Sequence, residues 1–215
     1  MESLNEYTKN LRRDFTKTSF DEKDANNNPF KQFELWFEEA IKSAVNEPNG
    51  MVLSTANKKG RPSSRIVLLR GIDNHGFNFF TNYDSRKGKE LKENPYASIL
   101  FFWPELERQI RIEGKIEIAP AAISDEYFAL RPRNSRIGAS ASPQSKVLKN
   151  RQELEKLVDA INAKYTEEVP RPKNWGGFIL KANYYEFWQG RQSRLHDRIC
   201  YNLKKGNWKK ERLAP

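Results

Sequence analysis

The chain of 215 residues carries a net charge of +10, contains one cysteine and is 37% hydrophobic. This length fits one domain with a substantial core, and no stretch approaches the ~18 consecutive apolar residues of a transmembrane helix. A single cysteine excludes a disulfide framework and a multi-cysteine metal site, and it suits the reducing cytoplasm. The basic balance predicts a polyanionic partner, which could be nucleic acid, a membrane surface or a phosphorylated small molecule.

Residues 1–28 are polar and predict a flexible N-terminal segment. Within it, residues 11–15 (Leu-Arg-Arg-Asp-Phe) form a basic and aromatic patch that could fold over a site as a lid; the alternative is a mobile tail. Asn28 and Pro29 then favour the start of a helix, and aromatic residues follow at helical spacing. We expect residues 29–215 to form a single domain.

The remainder of the chain predicts strands joined by short turns, with helices between some of them. The predicted strands cover residues 51–56, 63–70, 77–81, 96–103, 108–118, 177–182, 184–189, 194–201 and 208–213. The predicted helices cover residues 85–93, 121–130 and 152–165. This pattern indicates a mainly β fold with flanking helices (α+β), in which an antiparallel sheet closes or nearly closes into a barrel.

The segment from Arg194 to Arg198 carries two arginines and a histidine. On a strand, period-two alternation would put Arg194, His196 and Arg198 on one face. Cations that lie side by side repel one another unless an anion lies across them. This segment therefore predicts a negatively charged ligand.

Three further polar clusters lie beside a predicted strand or helix start. Arg65 and Arg70 close the two ends of an apolar strand. Residues 81–88 combine hydroxyl groups, Arg86 and Lys87 with a helix N-terminus, which suits a phosphate monoester; a capped surface helix with solvated cations is the alternative. The third cluster, at a helix end and in the loop after it, contains Tyr127, Arg131, Arg133 and Ser135. Several clusters in one small domain predict more than one phosphate site.

Other chemistries lack their sequence motifs. Two widely spaced histidines and one cysteine give no zinc signature, and His75 is predicted to be a solvated turn residue. The chain has no P-loop, no Gly-x-Gly-x-x-Gly fingerprint and no Gly-x-Ser-x-Gly elbow. Because no side chain here performs redox chemistry unaided, an oxidoreductase would need a bound cofactor.

A series of short motifs occurs in a fixed order between residues 11 and 215. The motifs are Arg65-Ile-Val-Leu-Leu-Arg70, Phe80-Thr81-Asn82, Ser85-Arg86-Lys87, Leu106-Glu107-Arg108-Gln109, Arg131-Pro132-Arg133-Asn134-Ser135, Ser142-Pro143-Gln144-Ser145, Trp175-Gly176-Gly177-Phe178, Glu186-Phe187-Trp188-Gln189-Gly190, Arg194-Leu195-His196-Asp197-Arg198 and Arg212-Leu213-Ala214-Pro215. Taken together and in this order, they are specific: the chain resembles the pyridoxine/pyridoxamine 5′-phosphate oxidase family, flavoproteins that make pyridoxal 5′-phosphate (PLP).

This resemblance implies an FMN-binding split barrel that works as a homodimer with two FMN sites in the subunit interface. The implied contacts of the FMN phosphate are Arg65, Arg86, Lys87 and Ser145. The implied contacts of the rest of the FMN are Ile66, Val67, Leu68, Leu69, Arg70, Phe80, Thr81, Gln109, Gln144, Trp188 and Arg198. Neither nucleic acid nor a membrane is among the implied partners.

The resemblance also implies the reaction and its substrate site. Dioxygen would oxidise pyridoxamine or pyridoxine 5′-phosphate to PLP with release of hydrogen peroxide, and of ammonia from the amine. The substrate phosphate would be held by Arg70, Tyr127, Arg131 and Ser135. Arg194 and His196 would flank the pyridine ring as the catalytic residues, and Arg12 and Phe15 would belong to a lid.

Two positions depart from the family pattern. Arg70 stands where the family has Lys, which changes the geometry offered to a phosphate, and Phe15 stands where it has Tyr, which removes a hydroxyl group. Two rival hypotheses stay open from the sequence. One is a flavin-binding split-barrel protein with another substrate, and the other is a nucleic-acid-binding barrel, given the sequence pI of about 9.6.

Overall fold

The computed structural model describes residues 4–11, 14–73 and 76–215. The helices are α1 (Leu4–Asn10), α2 (Pro29–Lys42), α3 (Arg86–Glu93), α4 (Ala121–Leu130), α5 (Arg133–Ala141) and α6 (Arg151–Lys164). The strands are β1 (Gly50–Ala56), β2 (Pro62–Leu68), β3 (Gly71–Asp73), β4 (Gly76–Asn82), β5 (Tyr96–Trp103), β6 (Arg108–Ile118), β7 (Trp175–Gln189), β8 (Asp197–Lys204) and β9 (Asn207–Arg212). A short 3₁₀ turn, Gln192–Arg194, precedes β8. Arg12 and His75, which were singled out above, lie outside the described residues.

The chain divides into two compact units. The first unit comprises residues 1–48, 100–112 and 184–215, and the second comprises residues 49–99 and 113–183. The strand order of the nine-stranded sheet is β2-β1-β5-β6-β7-β4-β3, and β8 pairs with both β7 and β9. The recorded registers of β1–β2, β3–β4, β4–β7, β7–β8 and β8–β9 are all antiparallel, which confirms the predicted fold class.

The sheet of the second unit buries alternate residues of its strands. In the β1–β2 hairpin, Met51 and Leu53 are buried and their neighbours are less so, as the two-residue period of a strand requires. The turn between these strands is closed by the Asn57 side chain, which accepts hydrogen bonds from the backbone N–H groups of Lys59 and Arg61. Gly60 has φ +77°, a conformation that glycine adopts without strain. The predicted hairpin is therefore confirmed.

The core of the first unit forms around α2. Asn28 caps this helix by accepting from the backbone N–H groups of Phe30 and Lys31, as predicted. Trp36 on its buried face packs against Phe20 at 4.8 Å and edge-on against Phe187 at 5.2 Å between ring centroids. These aromatic contacts confirm that the helix packs its apolar face into a core.

Residues 16–20 of the N-terminal segment are hydrogen-bonded to the rest of the first unit. The backbone N–H groups of Thr16 and Lys17 donate to the Glu107 carboxylate at 2.9 and 3.1 Å, and that of Phe20 donates to Asp197 at 3.0 Å. These contacts orient residues 14–20, whereas flexibility and lid movement of residues 1–28 stay predictions.

Three secondary-structure predictions were wrong. The strand predicted to begin at Arg194 begins at Asp197, because Ser193 and Arg194 adopt left-handed φ values of 55° and 61° that interrupt an extended chain. The stretch after Pro132, predicted as a loop, is helix α5, which starts without any side-chain cap. Asn183 does not separate two strands, because β7 pairs with β4 before it and with β8 after it.

Two further findings concern the cysteine and the lengths of the helices. Cys200 is buried, as expected for an apolar thiol, and burial raises its pKa. Across the part of the chain that the structure describes, every helix is too short or too polar to cross a bilayer.

Candidate functional site

A cavity of about 730 Å³ opens in the second unit. The predicted site residues that line it are Ile66, Val67, Leu68, Arg70, Phe80, Thr81, Lys87, Tyr127, Arg131, Ser135 and Gln144. Arg65, Leu69, Arg86 and Ser145 belong to the same unit, but their side chains are not part of the cavity lining. Residues that the sequence assigned to two different phosphates thus border one space.

The N-terminus of α3 begins beside this cavity. Ser85 is buried and caps the helix by accepting from the Gly88 backbone N–H at 3.3 Å. Glycine is required at position 88, because a Cβ there would overlap the carbonyl oxygen of Tyr83. The backbone N–H of Arg86 donates to the hydroxyl group of Ser145 at 3.1 Å, which brings two predicted phosphate ligands into contact.

Arg65 and Arg86 meet at the carboxylate of Glu90. Arg86 Nε donates to Glu90 Oε1 at 2.8 Å, and Arg65 Nη2 lies 3.3 Å from Glu90 Oε2. Burial by itself would raise the pKa of Glu90, but hydrogen bonds from Ser63, Thr55 and Arg86 outweigh it and hold the pKa at about 2. Glu90 is therefore ionised at neutral pH.

Lys87 extends toward Thr81 and Gln144. Its Nζ donates to Thr81 Oγ1 at 3.0 Å and to Gln144 Oε1 at 3.1 Å. Burial, with a smaller contribution from the positive charge of Arg65, lowers the pKa of Lys87 to about 8. No ion pair involves Lys87 within the described residues, so its charge is available to an anion that enters the cavity.

An aromatic stack forms another part of the cavity wall. Phe80 stacks on Tyr127 with 4.0 Å between ring centroids and lies nearly parallel to Trp175 at 5.7 Å. The Arg131 guanidinium sits 4.7 Å from the Trp175 ring centroid, as in a cation–π contact. Trp175 was quoted above only as part of a motif, so this role was missed; its signal was the Trp-Gly-Gly-Phe sequence at a strand start.

Arg131 is buried more deeply than its charge favours. Its Nη1 has no hydrogen-bond partner among the described residues, and burial lowers its pKa, with a further contribution from the charge of Arg70. Arg70 lies between β2 and β3, with its guanidinium carbon 6.0 Å from the Tyr127 ring centroid. An anion held between the two arginines would supply the acceptor that Arg131 lacks.

The third predicted cluster is divided by the structure. Ser135 lies in the first turn of α5 rather than in a loop, and it lines the cavity. Arg133 instead donates to the Asn162 side chain at 2.5 Å and to the Tyr165 carbonyl oxygen, both at the C-terminal end of α6. Arg133 therefore joins two helices and is not placed with Tyr127 and Arg131.

The first unit contains a cluster of rings around His196. Trp188 lies 4.6 Å from His196 between centroids, and Phe15 packs against both rings at 5.6 and 5.7 Å. His196 Nδ1 accepts from the Arg191 backbone N–H at 3.1 Å, which assigns the ring proton to Nε2. Burial lowers the pKa of His196, and the charge of Arg194 lowers it further, so the imidazole is neutral at pH 7.

Arg194 and Arg198 are held in different ways, although the sequence suggested one shared face. Arg194 is exposed at the end of the 3₁₀ turn, whereas Arg198 lies on β8 opposite Trp188. Arg198 Nε donates to the buried carboxylate of Glu186 at 2.9 Å, and Arg111 donates to the same carboxylate at 2.5 Å. Gln109, also predicted to contact FMN, lies half-buried on β6.

Glu90 and Glu186 are two further residues whose roles sequence interpretation missed. Each is a buried carboxylate shared by two arginines, and in each case one partner or more was a predicted FMN ligand. The signal for Glu90 was its position four residues after Arg86 on a short polar helix. Glu186 was quoted above only as part of a motif, and its pairing with Arg111 was not visible because Arg111 comes from another strand.

Comparison with known proteins identifies the family. A family model described as pyridoxamine 5′-phosphate oxidase matches residues 37–165, and one described as the C-terminal dimerisation region of pyridoxine 5′-phosphate oxidase matches residues 175–215. The pyridoxine/pyridoxamine 5′-phosphate oxidase of a Cyanothece strain is 50% identical over 95% of this chain and 97% of its own. The pyridoxine/pyridoxamine 5′-phosphate oxidase of Burkholderia thailandensis is 52% identical over 95% of this chain and 97% of its own.

A solved structure gives the same result for the fold. PhzG from Burkholderia lata, in complex with tetrahydrophenazine-1-carboxylic acid, superposes with a TM-score of 0.87 at 33% identity, over 92% of this chain and 98% of its own. This similarity supports the predicted split-barrel fold. Because the first family model matches more than half of the chain and the relatives cover 95% of it, the protein belongs to the pyridoxine/pyridoxamine 5′-phosphate oxidase family.

Proposed function

We propose that this protein is an FMN-dependent oxidase that converts pyridoxamine 5′-phosphate and pyridoxine 5′-phosphate to PLP. The observation that carries the proposal is the cavity of the second unit, where two sets of phosphate-directed side chains line one space. One set contains Lys87 with Thr81 and Gln144, and the other contains Arg70 and Arg131 with Tyr127. The names of the relatives agree with this activity.

The residues of the cavity suit FMN. A phosphate monoester carries close to two negative charges at neutral pH. Lys87 presents an ammonium group without a carboxylate partner among the described residues, and Arg86 keeps its terminal nitrogens beyond the single bond from Nε to Glu90. Ile66, Val67 and Leu68 line the cavity and offer an apolar border to a flat ring system. For Gln109, Trp188 and Arg198 the FMN contact stays a prediction from the family resemblance.

The residues around Arg131 suit the phosphate of the substrate. Arg131 has a buried N–H group in need of an acceptor, and Arg70, Tyr127 and Ser135 line the same cavity with N–H and O–H donors. Each charge-assisted hydrogen bond to such an anion is worth roughly 1.5–3 kcal/mol. Two or three of them would hold the substrate by its phosphate and leave its ring for chemistry.

When bound, FMN supplies the hydride acceptor for the substrate's 4′ carbon and, on reoxidation by dioxygen, the route to hydrogen peroxide. The alcohol gives PLP and peroxide, and the amine additionally consumes water and releases ammonia. The chain's own share is orientation and electrostatics. We assign Arg194 to placing the pyridine ring and His196, as a neutral imidazole with its proton on Nε2, to a hydrogen bond with a ring substituent.

The proposal includes assembly as a homodimer with FMN at the subunit interface. The match of residues 175–215 to a dimerisation region supports assembly. Ile66 lines the cavity and is 67% exposed in the single chain, as expected for an apolar side chain that a second subunit would cover. A cytoplasmic location belongs to the same proposal and rests on the single, buried cysteine.

The test is an activity assay on the purified protein with FMN, each B6 vitamer and oxygen. We expect stoichiometric formation of PLP and hydrogen peroxide from pyridoxamine 5′-phosphate and weak turnover of unphosphorylated pyridoxamine. Because PhzG was crystallised with a carboxylic acid, tetrahydrophenazine-1-carboxylic acid is the matched alternative substrate. Turnover of that acid without turnover of the phosphorylated vitamers would overturn the proposal, as would a flavin-free protein that binds oligonucleotides with steep salt dependence.

A further inference from the structure

Glu90 is the centre of a hydrogen-bond network at the start of α3. Its side chain is 6% exposed, and both of its oxygens are used. Oε1 accepts from Arg86 Nε at 2.8 Å, whereas Oε2 accepts from Thr55 at 2.5 Å and from Ser63 at 2.6 Å. A buried carboxylate with this many donors is fixed in place and stays ionised.

The two hydroxyl groups connect Glu90 to Arg65. Thr55 Oγ1 accepts from Arg65 Nη1 at 2.7 Å, and Ser63 Oγ accepts from Arg65 Nη2 at 2.6 Å. Each hydroxyl group therefore accepts from the arginine and donates to the carboxylate. Arg65 Nη1 also donates to the Leu53 carbonyl oxygen at 3.2 Å, so both terminal nitrogens of this guanidinium are held by the protein.

Arg86 differs from Arg65 because its terminal guanidinium nitrogens are available to a ligand. Its only side-chain hydrogen bond within the described residues runs from Nε to Glu90, and its side chain is 58% exposed. A guanidinium bonded through Nε presents its two terminal nitrogens on the far side, in the fork arrangement that matches two oxygens of a phosphate. Glu90 thus fixes the direction in which Arg86 points.

The charges at this point are balanced for a dianion. Arg65, Arg86 and Lys87 contribute three positive charges and Glu90 contributes one negative charge, which leaves two. A phosphate monoester carries close to −2 at neutral pH. Without Glu90, three cations would face one another, and repulsion would spread the two arginines apart.

We propose that Glu90 is a positioning residue of the flavin-phosphate site: it fixes the guanidinium of Arg86 in the orientation that binds the phosphate and holds the charge of Arg65 beside it, without touching the cofactor itself. This inference rests on the proposed function, because it takes FMN as the phosphorylated ligand. It concerns preference for FMN over riboflavin, which differ only in the phosphate. Glu90 should set that preference and leave binding of the flavin ring unchanged.

The test compares Glu90→Gln with the wild-type full chain, after removal of bound flavin. Gln keeps the size of the side chain and one acceptor oxygen, but its amide nitrogen faces a donor where a carboxylate oxygen stood. Binding of FMN and of riboflavin is measured separately by the change in flavin fluorescence. We expect the FMN dissociation constant of the variant to rise about tenfold or more, the loss of one charge-assisted hydrogen bond, and that of riboflavin to stay within about twofold.

Two variants frame this comparison. Glu93→Gln lies on the same helix, is exposed and should leave both dissociation constants unchanged. Ser63→Ala removes the hydroxyl group between Arg65 and Glu90 without removing a charge, and it should shift the preference in the same direction by a smaller factor. Ser63→Ala also supplies the answer if Glu90→Gln does not fold.

The outcomes separate this inference from the proposed function. A wild-type protein that binds FMN no better than riboflavin contradicts the flavin-phosphate site itself. A wild-type preference for FMN that Glu90→Gln and Ser63→Ala both retain contradicts only the role of Glu90. Equal weakening of FMN and riboflavin in the folded variants would also overturn it, because a general loss of structure would explain that result.

Discussion

The cavity of the second unit and the ring cluster of the first unit differ in how deeply their cationic side chains are buried. Around the cavity, Arg131 and Lys87 are partly buried, and their pKa values are lowered because burial disfavours their charge. In the ring cluster, Arg194 is exposed and acts on its neighbour by lowering the pKa of His196. Partly buried cations are suited to binding an anion. A neutral imidazole beside an arginine is suited to hydrogen bonding with the pyridine ring of a substrate.

This difference predicts two classes of variant. Changes around the cavity should act on binding of phosphorylated molecules, and changes in the ring cluster should act on turnover and on its pH dependence.

Replacing Arg194 with Ala should lower kcat by about 100-fold, because a ring that is no longer placed loses the advantage of orientation. The acid limb of the pH–kcat/KM profile should also move to higher pH, since the charge that lowers the pKa of His196 is gone. Steady-state kinetics between pH 5 and 9 would measure both, with flavin content as the control. A profile that keeps its acid limb in place would contradict the assigned coupling between the two residues.

Replacing Arg131 with Ala should raise the KM for pyridoxamine 5′-phosphate by roughly 10- to 100-fold, the loss of about one charge-assisted hydrogen bond. The flavin content should not change. Arg133→Ala is the matched control, because Arg133 joins α5 to α6 and should reduce thermal stability while leaving KM near the wild-type value. If both variants change KM equally, Arg131 does not hold the substrate phosphate.

The pKa of Lys87 predicts how FMN binding depends on pH. In the ligand-free protein this pKa is about 8, and a phosphate beside the ammonium group would raise it, so binding of FMN takes up a proton above that value. The FMN dissociation constant should therefore stay flat between about pH 7, where the phosphate is ionised, and pH 8, and rise as the pH increases above 8. Lys87→Arg stays charged over this range and should abolish the rise. An identical pH dependence in both proteins would rule out Lys87 as its source.

Ser193 provides the smallest expected effect. Its φ of 55° disfavours a β-branched side chain, so Ser193→Val should lower the free energy of unfolding by about 1–2 kcal/mol. Ser193→Gly can adopt this conformation and should remain close to the wild type. Urea titrations of the three proteins would show the order. Equal stability of the valine and glycine variants would mean that the turn before β8 is not left-handed in solution.

The elements that could be predicted from the sequence have local signals. Asn28 before Pro29 and Ser85 before Arg86 cap their helices as the sequence suggests, and the Asn57–Gly60 turn closes a hairpin. The phosphate-directed residues of the second unit were likewise found from hydroxyl groups and cations at strand ends and helix starts. Their side chains meet in one cavity because β2, β4, α4 and α5 all deliver residues to it.

The parts that could not be predicted either lack a local signal or depend on contacts between residues distant in sequence. The left-handed Ser193 and Arg194 carry no glycine to mark the turn, so an alternating strand was the simpler interpretation. Helix α5 lacks a capping side chain, and Arg133 forms a hydrogen bond with Asn162 on α6. Glu186 receives Arg111 from another strand, a pairing that only the folded chain reveals.

The proposal of a flavin-dependent oxidase with a phosphorylated substrate is tested most directly by the absorbance spectrum of the purified protein. The spectrum is recorded before and after anaerobic addition of pyridoxamine 5′-phosphate. We expect a yellow protein whose oxidised-flavin band disappears when pyridoxamine 5′-phosphate is added. When oxygen is admitted, the band should return, and PLP and hydrogen peroxide should be present. A flavin band that pyridoxamine 5′-phosphate leaves unchanged would contradict the proposal.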